Sequence, residues 1–222
     1  MYTITHSCDL ENQKVYEIKI VPPEENAVIF ETAKLVCYHR YHIEYRRFEH
    51  EVVCPEYMTE DGTCVVVIPW FLIPGRPYPI QVYLYASDLY SAKPNIGQRA
   101  VSEATRVKFN LKTFSHTTVG RSFKALEQSR QKALESRFGE EMKTCGDENP
   151  SPDSVTKDIA SEVQKTTKET RRFPSALDTA MRRKAMSEFL QAFRGATKKS
   201  GLEVAARLFV KYWYSKTKRL LL

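Results

Sequence analysis

Pro69-Trp70-Phe71-Leu72-Ile73-Pro74-Gly75-Arg76-Pro77-Tyr78-Pro79 divides the chain into two kinds of sequence. Each of its four prolines fixes its own φ and holds the preceding residue in extended geometry, so no helix begins before Pro79. The stretch reads as a stiff, partly buried connector. Upstream, short runs rich in β-branched and aromatic residues cover 15–21, 27–30, 34–38, 41–48, 49–54 and 64–70. Their period of two places them on strands, and the turn-forming clusters at 22–26 and 60–63 favour an antiparallel meander.

Downstream the period lengthens to that of a helix. Ile80, Tyr83, Leu84 and Leu89 share one stripe, and further helices are predicted over 98–109 and 116–137. Residues 145–153 are polar, proline-rich and nearly without apolar anchors, which predicts a flexible linker with only a weakly held helix over 154–170. Ser175 then caps a helix to about 194, with Leu177, Ala180, Met181, Ala185, Phe189 and Phe193 on its apolar face and Gly195 as its stop. A last helix over 202–216 sets Leu202, Ala205, Leu208, Phe209, Tyr212 and Trp213 against Arg207, Lys211, Lys216, Lys218 and Arg219. Such a face suits an intramolecular core, a homodimer or partner-protein contact, or an anionic surface. The expected fold class is α+β: a small antiparallel β-rich module (1–76), a helical domain (77–144), a linker (145–174) and a C-terminal helical segment (175–222).

Charge is divided along the same boundary. Residues 1–75 carry 6 Lys and Arg against 12 Asp and Glu, and the remainder 28 against 15, beneath a net charge of +7. The excess cations fall where the pattern is helical, the arrangement of a segment that meets phosphate. No run approaches the roughly 18 apolar residues that span a bilayer, and the start lacks the charged and apolar regions of a secretory signal. The expectation is therefore a cytoplasmic protein without membrane partners. Its five cysteines are odd in number and widely spread, as expected of reduced thiols or metal ligands and not of a disulfide framework.

Residues 97–126 carry the functional expectation. Val101, Ala104, Thr105 and Phe109 lie on one side of a first helix, with small Ala104 where a crossing helix needs close approach. Leu111 points inward, Ser115 caps a second helix, and Val119, Phe123 and Leu126 recur there at helical spacing. Packing of those three leaves Ser115, His116, Thr117, Thr118, Arg121 and Lys124 facing outward. Hydroxyls that bind phosphates or base edges and a guanidinium suited to guanine are the chemistry of a recognition helix in a major groove. Arg99, Arg106, Lys108 and Lys112 are positioned to neutralise phosphates. The partner expected is double-stranded DNA; the plainer alternative is a three-helix core with a basic face.

The pattern Phe109-x-Leu111-Lys112-Thr113-Phe114-Ser115-His116-x-Thr118-Val119-x-Arg121, following Ala104-Thr105, resembles a family of bacterial transposase-like, mobile-element-associated proteins. Cys54, Cys64, the run Ile68 to Pro74 and Tyr78 extend the resemblance forward, so that it covers about half of the chain. It implies an N-terminal zinc-ribbon-like segment followed by a helix-turn-helix, and DNA recognition as a transcriptional regulator or an accessory protein of a mobile element.

A zinc ribbon needs two close ligand pairs aimed at one tetrahedral ion. Here nine residues separate Cys54 from Cys64 and Cys8 has no neighbouring cysteine. Two readings stand: a zinc site assembled across strands from Cys37, His50, Cys54 and Cys64, or small buried cysteines in a ribbon-like fold without an ion. The second requires Val52, Val65, Val67, Ile68, Trp70 and Phe71 to form the core instead. No cofactor other than zinc is expected. No phosphate-cradling glycine loop, G-x-S-x-G elbow or H-E-x-x-H occurs, and no predicted parallel sheet offers a platform for a metal-binding carboxylate triad. The expectation is a DNA-binding module and not an enzyme; the alternative is an adaptor whose basic and amphipathic helices bind a protein partner.

Overall fold

The computed structural model describes residues 1–6, 8, 10, 17–22, 30–93, 95–144, 176–217 and 219–222, with 134–144 and 176 as backbone alone. The expected linker, the Ser175 cap and most of the expected strand over 27–30 lie outside the described residues. The fold is α+β. Strands β1 (Tyr2–Thr5), β2 (Glu17–Lys19), β3 (Lys34–Tyr45), β4 (Phe48–Met58) and β5 (Cys64–Pro69) precede the helices. These are α1 (Ile80–Ala92), α2 (Gln98–Phe109), α3 (His116–Thr144), α4 (Ala176–Phe189), α5 (Gln191–Ser200) and α6 (Leu202–Thr217).

Strands β3, β4 and β5 form the expected antiparallel meander. The β3–β4 pairing runs from Tyr45↔Phe48 to Lys34↔Met58, with an irregularity between Leu35 and Cys37. The end of β4 pairs with β5 through Glu56↔Val66 and Met58↔Cys64. Two short strands then add in parallel, β2 on β4 (Ile18↔Val52) and β1 on β5 (Ile4↔Ile68). Alternation assigns side chains to a face and not a strand to a direction, so these additions were invisible in the pattern. The hairpin bends at Arg46 and Arg47, both left-handed with φ of 53° and 67°. A two-residue turn of that kind usually holds Asn-Gly, so a pair of arginines carries no turn signal, and the strand expected over 41–48 runs through them.

The connector behaves as its prolines require. Trp70, Phe71, Leu72 and Ile73 are buried; the Trp70 N–H donates to Thr5 O and the Ile80 N–H to Phe71 O, each at 2.9 Å. It delivers α1 into the centre of the molecule, where α1 packs against α2, α3, α4 and α6. Burial on all sides explains why α1 has residues such as Val82, Tyr83, Leu84, Ala86 and Ser87 buried and no clear apolar stripe. One apolar cluster runs from Ile4 and Ile43 of the sheet through α1 to Leu126, Leu190, Phe209 and Trp213.

The C-terminal helices differ from expectation in detail. The helix expected to end at 194 breaks at buried Leu190, Gly195 lies inside α5, and the stop is Gly201 at φ 84°. Leu177 and Met181 are exposed, whereas Met186, Leu190 and Phe193 are buried. In α6 the inward face is Ala205, Ala206, Phe209, Val210 and Trp213, leaving Leu208 and Tyr212 outside. Helix α6 packs on α5 and meets the end of α4, with Phe209 edge-on to Phe193 and Phe189, while α4 packs on α1. Among the described residues, no helix is long and apolar enough to cross a membrane.

Candidate nucleic-acid interface

Helices α1, α2 and α3 pack against one another pairwise. Val101, Thr105 and Phe109 of α2 and Val119, Phe123 and Leu126 of α3 are buried, as their spacing predicts. On α3, Gly120 faces the Gln98 side chain of α2, whose Nε2 would stand 3.1 Å from an added Cβ.

The connection from Asn110 to Ser115 is longer than the three or four residues of a compact helix-turn-helix, and the surrounding structure fixes it. Asn110 ends α2 in the left-handed region, its N–H directed at Arg106 O and Val107 O. Leu111 and Phe114 are buried, and the Phe114 ring lies 5.3 Å from that of Tyr78. Tyr78 OH donates to Thr113 O at 2.6 Å, Ser102 Oγ donates to Phe114 O, and the Lys112 N–H donates to the Glu44 carboxylate. Ser115 then caps α3: its Oγ accepts the Thr118 N–H at 3.2 Å and lies 2.8 Å from the hydroxyls of Thr117 and Thr118.

This packing leaves Ser115, His116, Thr117, Arg121 and Lys124 exposed and Thr118 half-buried, while Arg99 and Lys108 are exposed on α2. The first turn of α3 has no acidic residue, so nothing there offsets the positive end of its backbone dipole. Two of the expected phosphate-facing cations have acidic partners. Arg106 binds Glu103 at 2.6 Å, and Lys112 Nζ binds Glu49 at 2.6 Å. Each cation holds its carboxylate below the usual range, and the exposed pairs are screened by solvent. The contacts of Glu44 and Glu49 with Lys112 bring the β3–β4 tip to the α2–α3 connection. That placement adds exposed Arg46, Arg47 and Phe48 to the neighbourhood, which no local motif foretold.

The four cysteine and histidine positions expected to share a zinc ion do not converge among the described residues. Cys54 is buried, with its thiol pushed up to about 12 by desolvation. His50 is also buried, four residues along β4, about 13 Å away at the rise of a strand. Cys64 is exposed at the start of β5 opposite Met58, and Cys37 is exposed opposite Glu56. Register is the physical reason: it sets Ile43 across from His50 and His39 across from Cys54. The apolar set Val52, Val65, Val67, Ile68, Trp70 and Phe71 is buried, as the ion-free alternative requires.

No protein-family model, curated protein or solved structure matches the chain.

Proposed function

We propose that this protein binds double-stranded DNA through the α2–α3 pair, with the start of α3 entering the major groove, as a transcriptional regulator or an accessory protein of a mobile element. The observation that carries this reading is burial of Val119, Phe123 and Leu126 beneath a helix start whose His116, Thr117 and Arg121 face solvent. An exposed helix start with oriented N–H groups, hydroxyls and cations favours phosphate and base edges over a neutral partner. Arg99, Lys108 and Lys124 supply sequence-independent attraction, and the Arg46–Arg47 tip lies beside the same connection.

The test is selection of duplexes from a random pool, followed by titration of the enriched site and a scrambled one. Arg121→Ala is expected to weaken the enriched site by about 1–3 kcal/mol and relax its sequence preference, whereas Lys108→Ala weakens both duplexes alike. Absence of enrichment, or equal losses on both duplexes for Arg121→Ala, overturns the assignment. A second reading, an adaptor that binds a protein partner, is favoured by exposed Leu208 and Tyr212 on α6 and Leu177 and Met181 on α4. Salt separates the two: binding through phosphates weakens steeply as salt rises, and apolar docking changes little.

A further inference from the structure

The far end of the β3–β4 ladder carries a cluster unrelated to the helices just described. Cys37 lies eight residues along β3 from Tyr45, about 26 Å at the rise of a strand. The pleat puts Cys37 and His39 on one face, and the register puts Glu56 directly across from Cys37 on that face. Cys37 Sγ donates to Glu56 Oε2 at 3.1 Å, His39 Nε2 is 2.8 Å from the same oxygen, and Sγ and Nε2 are 3.6 Å apart. Sulfur, imidazole nitrogen and carboxylate oxygen thus form a small triangle, with all ligand atoms within 4.8 Å of one another.

We propose that Cys37, His39 and Glu56 bind one thiophilic divalent cation of the zinc class, leaving its remaining coordination open to solvent. A tetrahedral zinc ion with Zn–S of about 2.3 Å and Zn–N and Zn–O of about 2.0–2.1 Å requires edges of about 3.3–3.6 Å between these ligand types. The sulfur–nitrogen edge already has that length, and the two edges to Glu56 open by a few tenths of an ångström when its side chain turns. One thiolate, one imidazole and one carboxylate suit zinc, cobalt or copper and not the all-oxygen preference of magnesium or calcium. Both neighbours of the triangle compete for a single oxygen of Glu56, and a cation at the centre replaces that competition with three ligand bonds. Binding breaks the Cys37 S–H bond, forms the metal–sulfur bond and releases the proton to solvent. The site differs from the four-residue set expected from sequence, sharing with it only Cys37.

The experiment is titration of the full-length protein with Co(II), followed by displacement with Zn(II). One equivalent of Co(II) is expected to produce a thiolate-to-cobalt charge-transfer band in the near ultraviolet and the visible bands of four-coordinate cobalt, and Zn(II) abolishes both. Cys37→Ser removes the charge-transfer band, His39→Ala and Glu56→Gln weaken binding about tenfold or more, and Cys64→Ser leaves the band and the affinity unchanged. Far-ultraviolet circular dichroism of each variant, all at exposed or half-buried positions, confirms that loss of metal is not loss of fold. No charge-transfer band at one equivalent, or a band that survives Cys37→Ser, overturns the proposal.

Discussion

At the scale of single residues, the proposed interface is governed by how its charges are already paired. Lys112 is held by Glu49 through a direct hydrogen bond, which raises the lysine and lowers the carboxylate from their ordinary values. The carboxylate is the partner that titrates near acid pH. The pair's contribution is fully present above the ordinary glutamate value of about 4.3 and is lost as pH falls through the lower folded value. Lys112→Met is expected to return the Glu49 carboxyl to its ordinary range, read by carbon-detected NMR titration; a Glu49 value unmoved by the substitution contradicts the pairing. Because both side chains are more than half exposed, raised salt is expected to narrow the difference.

At the scale of elements, the β3–β4 hairpin carries a backbone cost at its tip, where the Arg46 guanidinium stands 5.3 Å from the centre of the Tyr45 ring. Two consecutive arginines occupy the left-handed region, where an L side chain is disfavoured and glycine or asparagine is at ease. Replacing the tip by Arg46→Asn with Arg47→Gly is expected to raise stability by about 1 kcal/mol or more in urea denaturation. Under the proposed function, the same double variant weakens all duplexes together, since the tip offers charge and not base readout. A variant that is no more stable than the parent would show that the turn has another geometry. Phe109, Leu111 and Val119 could be read as inward-facing from local spacing, because helix and turn chemistry are local; buried Phe114 was not among them. The Glu44, Tyr78 and Ser102 contacts that hold the connection come from distant positions and had no local trace.

At the scale of the whole molecule, the sheet and the C-terminal helices share one interior. Arg194 binds Asp88 of α1 at 2.6 Å, Arg182 Nε binds Glu127 of α3 at 2.6 Å, and the Arg183 guanidinium lies 3.8 Å from the centre of the Tyr90 ring. Glu203, buried at the start of α6, accepts the Leu10 N–H at 3.0 Å. The C-terminal helices are thus tied both to α1 and to the N-terminal chain. Thermal unfolding is expected to be a single transition, with the fluorescence of Trp70 beside the sheet and of Trp213 in α6 changing together in single-tryptophan variants. Two separated transitions would show that the halves unfold independently.

From its amino acids alone the chain determined its fold class, the boundary at the prolines, the extent of α2, the start of α3 and the inward faces of both helices. Each of these follows from interactions within a few residues: backbone restriction, periodic burial and capping. Only the tertiary structure decided the parallel placement of β1 and β2, the rotation of α4 and α6, and the meeting of Cys37 and His39 with Glu56. Those outcomes depend on strand register and on packing between segments far apart in the chain, where a shift of one residue exchanges the buried face for the exposed one.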